Sequence, residues 1–275
     1  MSLEIKPLKA PVGAEIFGFD ARRDVTPEVA SALRRAFEQY HVLIMRDQVL
    51  NETEQVAFAG SFGEVEMARE HSVIVERPEI MVISNIRQDG KFVGRLPDGE
   101  IEWHFDKMHQ AVPNIAAVLH AVELPDRGGE TSFSDTSLVY DALPERVKSR
   151  LEGLHVSCTY DYEATRPEAR VVTVDTPKAV QPVVRTLPNG RKSVFAAPLM
   201  VDRLVELPQA ESDELLAEVY SYFGRPDNTY QHVWRLADTL IWDNRCCAHR
   251  RADFDPNQRR LLRRVALADF PRHLN

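Results

Sequence analysis

The amino-acid sequence predicts a fold that is mainly β with flanking helices, a β-sandwich or barrel decorated on the outside. Short apolar runs, or stretches alternating with a period of two, recur at 80–84, 114–122, 170–175, 180–186, 192–197, 229–234, 238–242 and 261–268, bounded by Pro, Gly, Asp and Asn. These runs do not alternate regularly with helical patterns, which argues against a doubly wound parallel sheet. Chemistry in such a fold belongs inside the β-structure or at its mouth. No repeat, Gly/Ser linker or charge block divides the 275 residues, so one domain over 1–275 is expected.

The helices follow from capping and spacing. Thr26 before Pro27 sets an N-cap hydroxyl and a ring at the first helical position, and Val29, Leu33 and Phe37 continue an apolar stripe to about residue 40. Val42 to Met45 then reads as a strand. Asn51 caps a second helix with Val56, Ala59 and Phe62 on one side. Further helices are expected at 136–151, where Leu138, Leu143, Val147 and Leu151 recur, and at 211–223 around Leu215, Val219 and Tyr222.

Composition excludes several partners. Lys and Arg number 34 against 42 Asp and Glu, a formal charge of −8, the wrong sign for neutralising phosphates, so no nucleic acid is expected. No window approaches the roughly 18 apolar residues of a membrane helix, and the opening residues hold no apolar run resembling a signal peptide. A cytoplasmic protein with no membrane contact is expected. Cys158, Cys246 and Cys247 are too few for a disulfide framework, and a reducing compartment fits them.

The segment Glu102-Trp103-His104-Phe105-Asp106 carries the most chemical information. In an extended strand, residues two apart share a face, so the His104 imidazole and the Asp106 carboxylate converge closely enough to share a metal. With one more imidazole they make a two-His-one-carboxylate set, which leaves open positions and suits ferrous iron. His-x-Asp alone is common by chance and is more often a hydrogen-bonded pair or an exposed loop. Among the other histidines, His41, His155 and His273 lie at helix or chain ends and are expected in solvent. His120 reads as a satisfied core histidine, His109 as a loop residue, and His71 and His232 have no distinctive context. His249 stands apart because it follows Trp242-Asp243-Asn244-Arg245 and precedes an arginine-rich strand; seven arginines fall between 245 and 264. A solvated basic face is the default reading of such a run. Against it, Arg260, Leu262, Arg264, Ala266 and Ala268 share one strand face, which describes a cavity with two anion clamps better than a packed core.

WHFD at 103–106, GGETSFSD at 128–135, WDNR at 242–245, His249, and Arg260 eleven residues later together resemble the TauD/TfdA family of taurine and 2,4-dichlorophenoxyacetate dioxygenases. Weaker similarity runs through Leu43 to Gln48 and Phe62-Gly63. The resemblance implies a double-stranded β-helix (jelly roll) that holds Fe(II) and uses 2-oxoglutarate and dioxygen to hydroxylate a small anionic substrate, a carboxylate, sulfonate or sulfate ester, with C–O or C–S cleavage where the new hydroxyl permits it. His104, Asp106 and His249 match the iron ligands; Arg260 and Thr131 match the groups that hold the distal carboxylate of 2-oxoglutarate. Arg264 matches the arginine that holds an anionic substrate, and Lys107 and His71 are further candidate substrate contacts. Residues 242–245 match a structural motif. Asp106, which halogenating relatives replace, argues for hydroxylation, and Glu102, where taurine dioxygenase carries an amide, argues against taurine itself. The Gly- and charge-rich segment 85–101 is expected to form a lid, and a homo-oligomer is expected. A metal-dependent hydrolase with a zinc-activated water, or a non-catalytic jelly-roll binding protein, are the alternatives.

Overall fold

In the computed structural model, residues 3–23, 26–68, 72, 74–161 and 164–269 are described. A seven-stranded sheet runs in the spatial order Glu4–Pro7, Ala14–Phe17, Val42–Met45, Thr239–Asp243, Ala116–Glu123, Leu261–Leu267, Ile80–Ser84. Its neighbours pair antiparallel except for the parallel pair Ala14–Phe17 with Val42–Met45. A four-stranded antiparallel sheet runs Thr229–His232, Thr131–Asp135, Cys247–Arg251, Ile101–His104. The chain is thus mainly β with few helices.

Side-chain alternation decides how the layers meet. Val42 and Ile44, Ala117 and Leu119, Leu240 and Trp242, and Leu262 leave one face of the large sheet and pack with Phe133 and Cys247 of the small sheet. Leu43, Met45, Val118, Ile241, Val265 and Leu267 leave the other face and meet Leu33 and Phe37 of the helix Pro27–Tyr40 and Val56, Phe58 and Phe62 of the helix Glu52–Phe62. Both helices start where expected: the Thr26 hydroxyl accepts from Val29 N–H, and Asn51 and Glu54 form a capping box. A three-stranded sheet, Lys178–Pro182, His155–Thr159, Val201–Leu204, together with the helix Gln209–Tyr220 covers the far side of the small sheet through a second core around Phe105, Phe195 and Leu199.

Several expectations are corrected. The helix expected at 136–151 is two, Thr136–Ala142 and Glu145–Leu151, because Pro144 lacks the N–H that would continue the ladder. Residues 170–175 form no strand; Val171, Val172 and Val174 are exposed in a loop, their β-branched character unsupported by any packing surface. The run at 180–186 divides into Lys178–Pro182 and Val184–Thr186, which belong to different sheets. His41 is not in solvent: it caps the first helix in a left-handed conformation and is buried between Asp135 and Asp243. His232 is buried as well, with Nε2 3.0 Å from Asp238. His120 is the satisfied core histidine expected, 2.9 Å from the Thr239 hydroxyl.

Candidate active site

Three sequence-predicted residues come together between the sheets. One side-chain donor atom from each of His104, Asp106 and His249 lies within 4.8 Å of the others, and all three residues are buried. His104 ends the strand Ile101–His104 and pairs across the small sheet with His249 of Cys247–Arg251, which brings the two rings to 4.1 Å between centroids. Asp106 does not share that strand, contrary to the two-residue alternation expected. The strand stops at His104, and Asp106 opens a turn in which Lys107 is left-handed at φ 56°.

A buried amide positions that turn. Asn244 Oδ1 accepts from Asp106 N–H at 2.8 Å, while its Nδ2 donates to the carbonyls of Asp106 at 2.9 Å and Asn114 at 2.8 Å. His104 Nδ1 donates to the Glu102 carbonyl at 2.8 Å, which fixes the tautomer and leaves Nε2 facing Asp106 and His249. Burial lowers the pKa of both imidazoles; for His249, His104 and the Arg264 guanidinium push the same way. Two neutral imidazoles and one buried carboxylate, whose Oδ2 makes no hydrogen bond of good geometry and is met by the Arg264 guanidinium at 3.1 Å, are a donor set that fits a borderline divalent metal such as ferrous iron.

An inner cavity beside this triad is lined by Ile83, Leu119, Thr131, Trp242, Arg251 and Arg260, among others. Arg260 is 2% exposed. Its side-chain hydrogen bond among the described residues is from Nη2 to the Gly129 carbonyl at 3.2 Å, and its Nε has no hydrogen-bond partner there. Burial, reinforced by Arg251, pulls its pKa down to about 9. The Gly-Gly pair of the 128–135 motif makes room for this side chain: Gly129 sits at φ +70°, and a Cβ there would stand 2.8 Å from Arg260 Nε. The Thr131 hydroxyl accepts from Trp234 Nε1 at 3.1 Å.

An outer pocket opens from the same triad toward solvent between Met81, Leu96, Tyr160 and Met200, with His109 and Lys107 on its wall. Arg264 lines both cavities, with Nη2 3.1 Å from Asp106 Oδ2 and Nη1 3.5 Å from the Met81 sulfur. Lys107 is ion-paired with Glu66. His71 lies outside the described residues. Segment 85–101 contains the hairpin Arg87–Gln88 with Lys91–Phe92, and its end is fastened by Arg251, which donates to the carbonyls of Leu96, Asp98 and Gly99. Asn244, Glu66, Met81, Tyr160 and Met200 had no signal in the local sequence; only the WDNR motif hinted at Asn244, as a structural residue.

Among the described residues no helix is long and apolar enough to cross a membrane. The chain is 32% identical over 292 residues to the alpha-ketoglutarate-dependent 2,4-dichlorophenoxyacetate dioxygenase of Cupriavidus pinatubonensis, an alignment that covers 98% of this chain and 99% of that protein. It is 29% identical to the (S)-phenoxypropionate/alpha-ketoglutarate-dioxygenase of Sphingobium herbicidovorans, covering 98% and 96%. Its structure resembles the crystal structure of AAD-2 in complex with Mn(II) and N-oxalylglycine with a TM-score of 0.82 at 27% identity, covering 98% of this chain and 99% of the other. The family model for taurine catabolism dioxygenase TauD, TfdA family, matches residues 4–266, and with a buried His-Asp-His cluster beside a buried arginine, the chain belongs to that family.

Proposed function

We propose that this protein is an Fe(II)- and 2-oxoglutarate-dependent dioxygenase, acting as one jelly-roll domain, that hydroxylates a small organic anion. The carboxylate, sulfonate or sulfate ester class is the substrate class that suits Arg264, and cleavage of a C–O or C–S bond follows where the hydroxylated carbon carries the leaving group. The observation that carries this reading is the pairing of the buried two-His-one-carboxylate set with Arg260, a guanidinium held nearly out of water with one carbonyl for a partner. A buried unpaired cation is costly, and a dianionic co-substrate removes the cost.

In this reading His104 Nε2, His249 and Asp106 hold the metal; Arg260 and the Thr131 hydroxyl hold the distal carboxylate of 2-oxoglutarate. Once bound, iron and 2-oxoglutarate together supply oxidising power, dioxygen being reduced as the keto acid becomes succinate and carbon dioxide. The chain's own groups bind, orient and exclude water. Asn244 fixes the backbone from which Asp106 reaches inward, Trp234 orients the Thr131 hydroxyl, and Leu119, Ile83 and Trp242 form the apolar part of the inner cavity's wall. Arg264 stands where the two cavities meet, one terminal nitrogen on Asp106 and the other turned to Met81, from which a substrate anion displaces only a weak thioether contact.

The test is an anaerobic titration with Fe(II) and 2-oxoglutarate, read by the weak visible charge-transfer band, followed by a panel of organic anions assayed for succinate release in air. Wild-type protein is expected to develop the band and release succinate. His104→Ala, Asp106→Ala and His249→Ala are expected to lose metal and turnover while keeping a wild-type far-UV spectrum. Near wild-type turnover in these variants would remove the metal assignment; metal-dependent hydrolysis without succinate would favour the zinc hydrolase.

A further inference from the structure

The outer pocket carries a charge balance that reaches beyond a single anion-binding arginine. Among the described residues its wall holds three cations, Arg95, Lys107 and Arg264, and three carboxylates, Glu66, Glu79 and Asp106. Glu79 is held by Arg77, whose Nε and Nη2 lie 3.1 and 2.6 Å from its two oxygens, and Glu66 pairs with Lys107. With Asp106 committed to a metal, Arg264 keeps its charge for a substrate, and the Glu66–Lys107 pair decides whether a second cation joins it. Lys107 follows Asp106 directly, held in the left-handed turn that Gln110 N–H closes on its carbonyl at 2.9 Å. Glu66 comes from the opposite side: its N–H donates to the Ala266 carbonyl at 2.9 Å, two residues beyond Arg264, and Val65 bridges to Leu267. Their side chains are 25% and 19% exposed, while His104 and Asp106 are buried, so the pair stands between the triad and solvent.

We propose that Glu66, by neutralising Lys107, sets the charge of the substrate: the pocket takes organic monoanions, with the acid group at Arg264 and an apolar body along Met81 and Met200, and rejects molecules with a second negative group at the far end. This rests on the dioxygenase reading and adds a rule to it. A carboxylate at the mouth repels a distal anion, and the Lys107 ammonium beside it is already occupied. Neither residue is needed to hold the other's backbone, since both main chains are fixed by the bonds given above.

Matched probes separate one charge from two: phenoxyacetate against 4-carboxyphenoxyacetate, and hexyl sulfate against its ω-carboxylated counterpart, each titrated calorimetrically without dioxygen into protein loaded with Mn(II) and 2-oxoglutarate. Wild type is expected to favour the monoanion of each pair at least tenfold. Glu66→Gln, which keeps the shape and the main-chain bonds, is expected to move that ratio at least tenfold toward the dianion. The double variant Glu66→Gln/Lys107→Met removes both charges of the pair together, leaves the net charge of the wall as in wild type, and is expected to return the ratio to within threefold of wild type, an outcome that damage to the pocket would not produce. A wild-type protein that takes both members of each pair equally or takes neither, or a Glu66→Gln ratio equal to wild type, overturns the proposal. The 2-oxoglutarate affinity measured in the same samples reports separately on the dioxygenase reading, which fails only if the co-substrate does not bind.

Discussion

Replacing Arg260 by methionine keeps an apolar stem in the inner cavity and removes its deepest cation. A charge-assisted, bidentate contact with a buried partner is worth about 2–5 kcal/mol, so the 2-oxoglutarate dissociation constant is expected to rise at least ~30-fold. Thermal stability amplifies that difference. At a ligand concentration one hundred times the wild-type constant, binding stabilises wild type by about 2.7 kcal/mol, and a variant weakened ~30-fold by about 0.9 kcal/mol. At roughly 2–4 °C per kcal/mol for a chain of this size, the Mn(II)-loaded wild type should gain about 5–10 °C from 2-oxoglutarate and Arg260→Met less than about 4 °C. Without ligand, the variant should melt no lower than wild type, because folding holds the guanidinium unpaired and pulls its pKa to about 9. Arg259→Met is the control: the neighbouring Arg259 is exposed and paired with Glu123, so its removal should leave the ligand-induced rise unchanged. Equal rises for wild type and Arg260→Met would refute the assignment of this arginine to the co-substrate.

Arg264→Met should weaken the primary substrate at least tenfold and 2-oxoglutarate less than threefold in titrations of Mn(II)-loaded protein; equal losses would show that its contact with Asp106 is its whole role. Asn244→Ala strips two hydrogen bonds from the Asp106 backbone and one from Asn114, and competition against a metal chelator should find metal affinity 10–100-fold weaker. His41 should impose a pH dependence on stability. Burial opposes its charge, but the Asp243 carboxylate 3.7 Å from Nδ1 and the neighbouring Cys246, aided by Asp135, raise its pKa to about 11. Because the folded-state pKa lies above the unfolded one, this contribution is complete below about pH 6.5 and declines as pH rises toward 11. Melting temperatures should therefore fall more steeply from pH 7 to 10 in wild type than in His41→Asn, and parallel curves would contradict the charged state.

Local signals in the sequence were enough wherever a short-range rule decides the outcome. Thr26-Pro27 and Asn51 start helices because caps act within four residues, and Val42–Met45 is a strand because its alternation serves two faces at once. The Arg264 face was legible for the same reason, and Arg260, which stands one residue before the strand Leu261–Leu267, lines the same inner cavity. Where packing partners decide, the sequence was silent or misleading. Three valines at 171, 172 and 174 promise a strand and remain exposed because no sheet edge lies beside them. Asn244 lies 138 residues from the Asp106 backbone it holds, and Glu66 lies 41 residues from Lys107, distances no periodicity spans. His41 follows a helix end, where solvent is the ordinary expectation, and two distant carboxylates draw it inward instead.

The way Arg251 is held has a consequence for how ligands arrive. Four hydrogen bonds run from its guanidinium to the backbone oxygens of Leu96, Asp98 and Gly99, which are dipoles and carry no net charge. Asp98 and Asp253 act on it only through space, so positive charge persists a short way from Arg260, inside a chain whose formal charge is −8. Such an arrangement makes a small well of positive potential behind low-dielectric walls, and field lines concentrate toward it from the mouth. A dianion approaching an otherwise repulsive surface would be drawn in at that point and little elsewhere. Stopped-flow association of 2-oxoglutarate should then slow as ionic strength rises from 0.01 to 1 M, over which the screening distance shrinks from about 30 to about 3 Å; a rate indifferent to salt would mean that capture is governed by diffusion and fit alone.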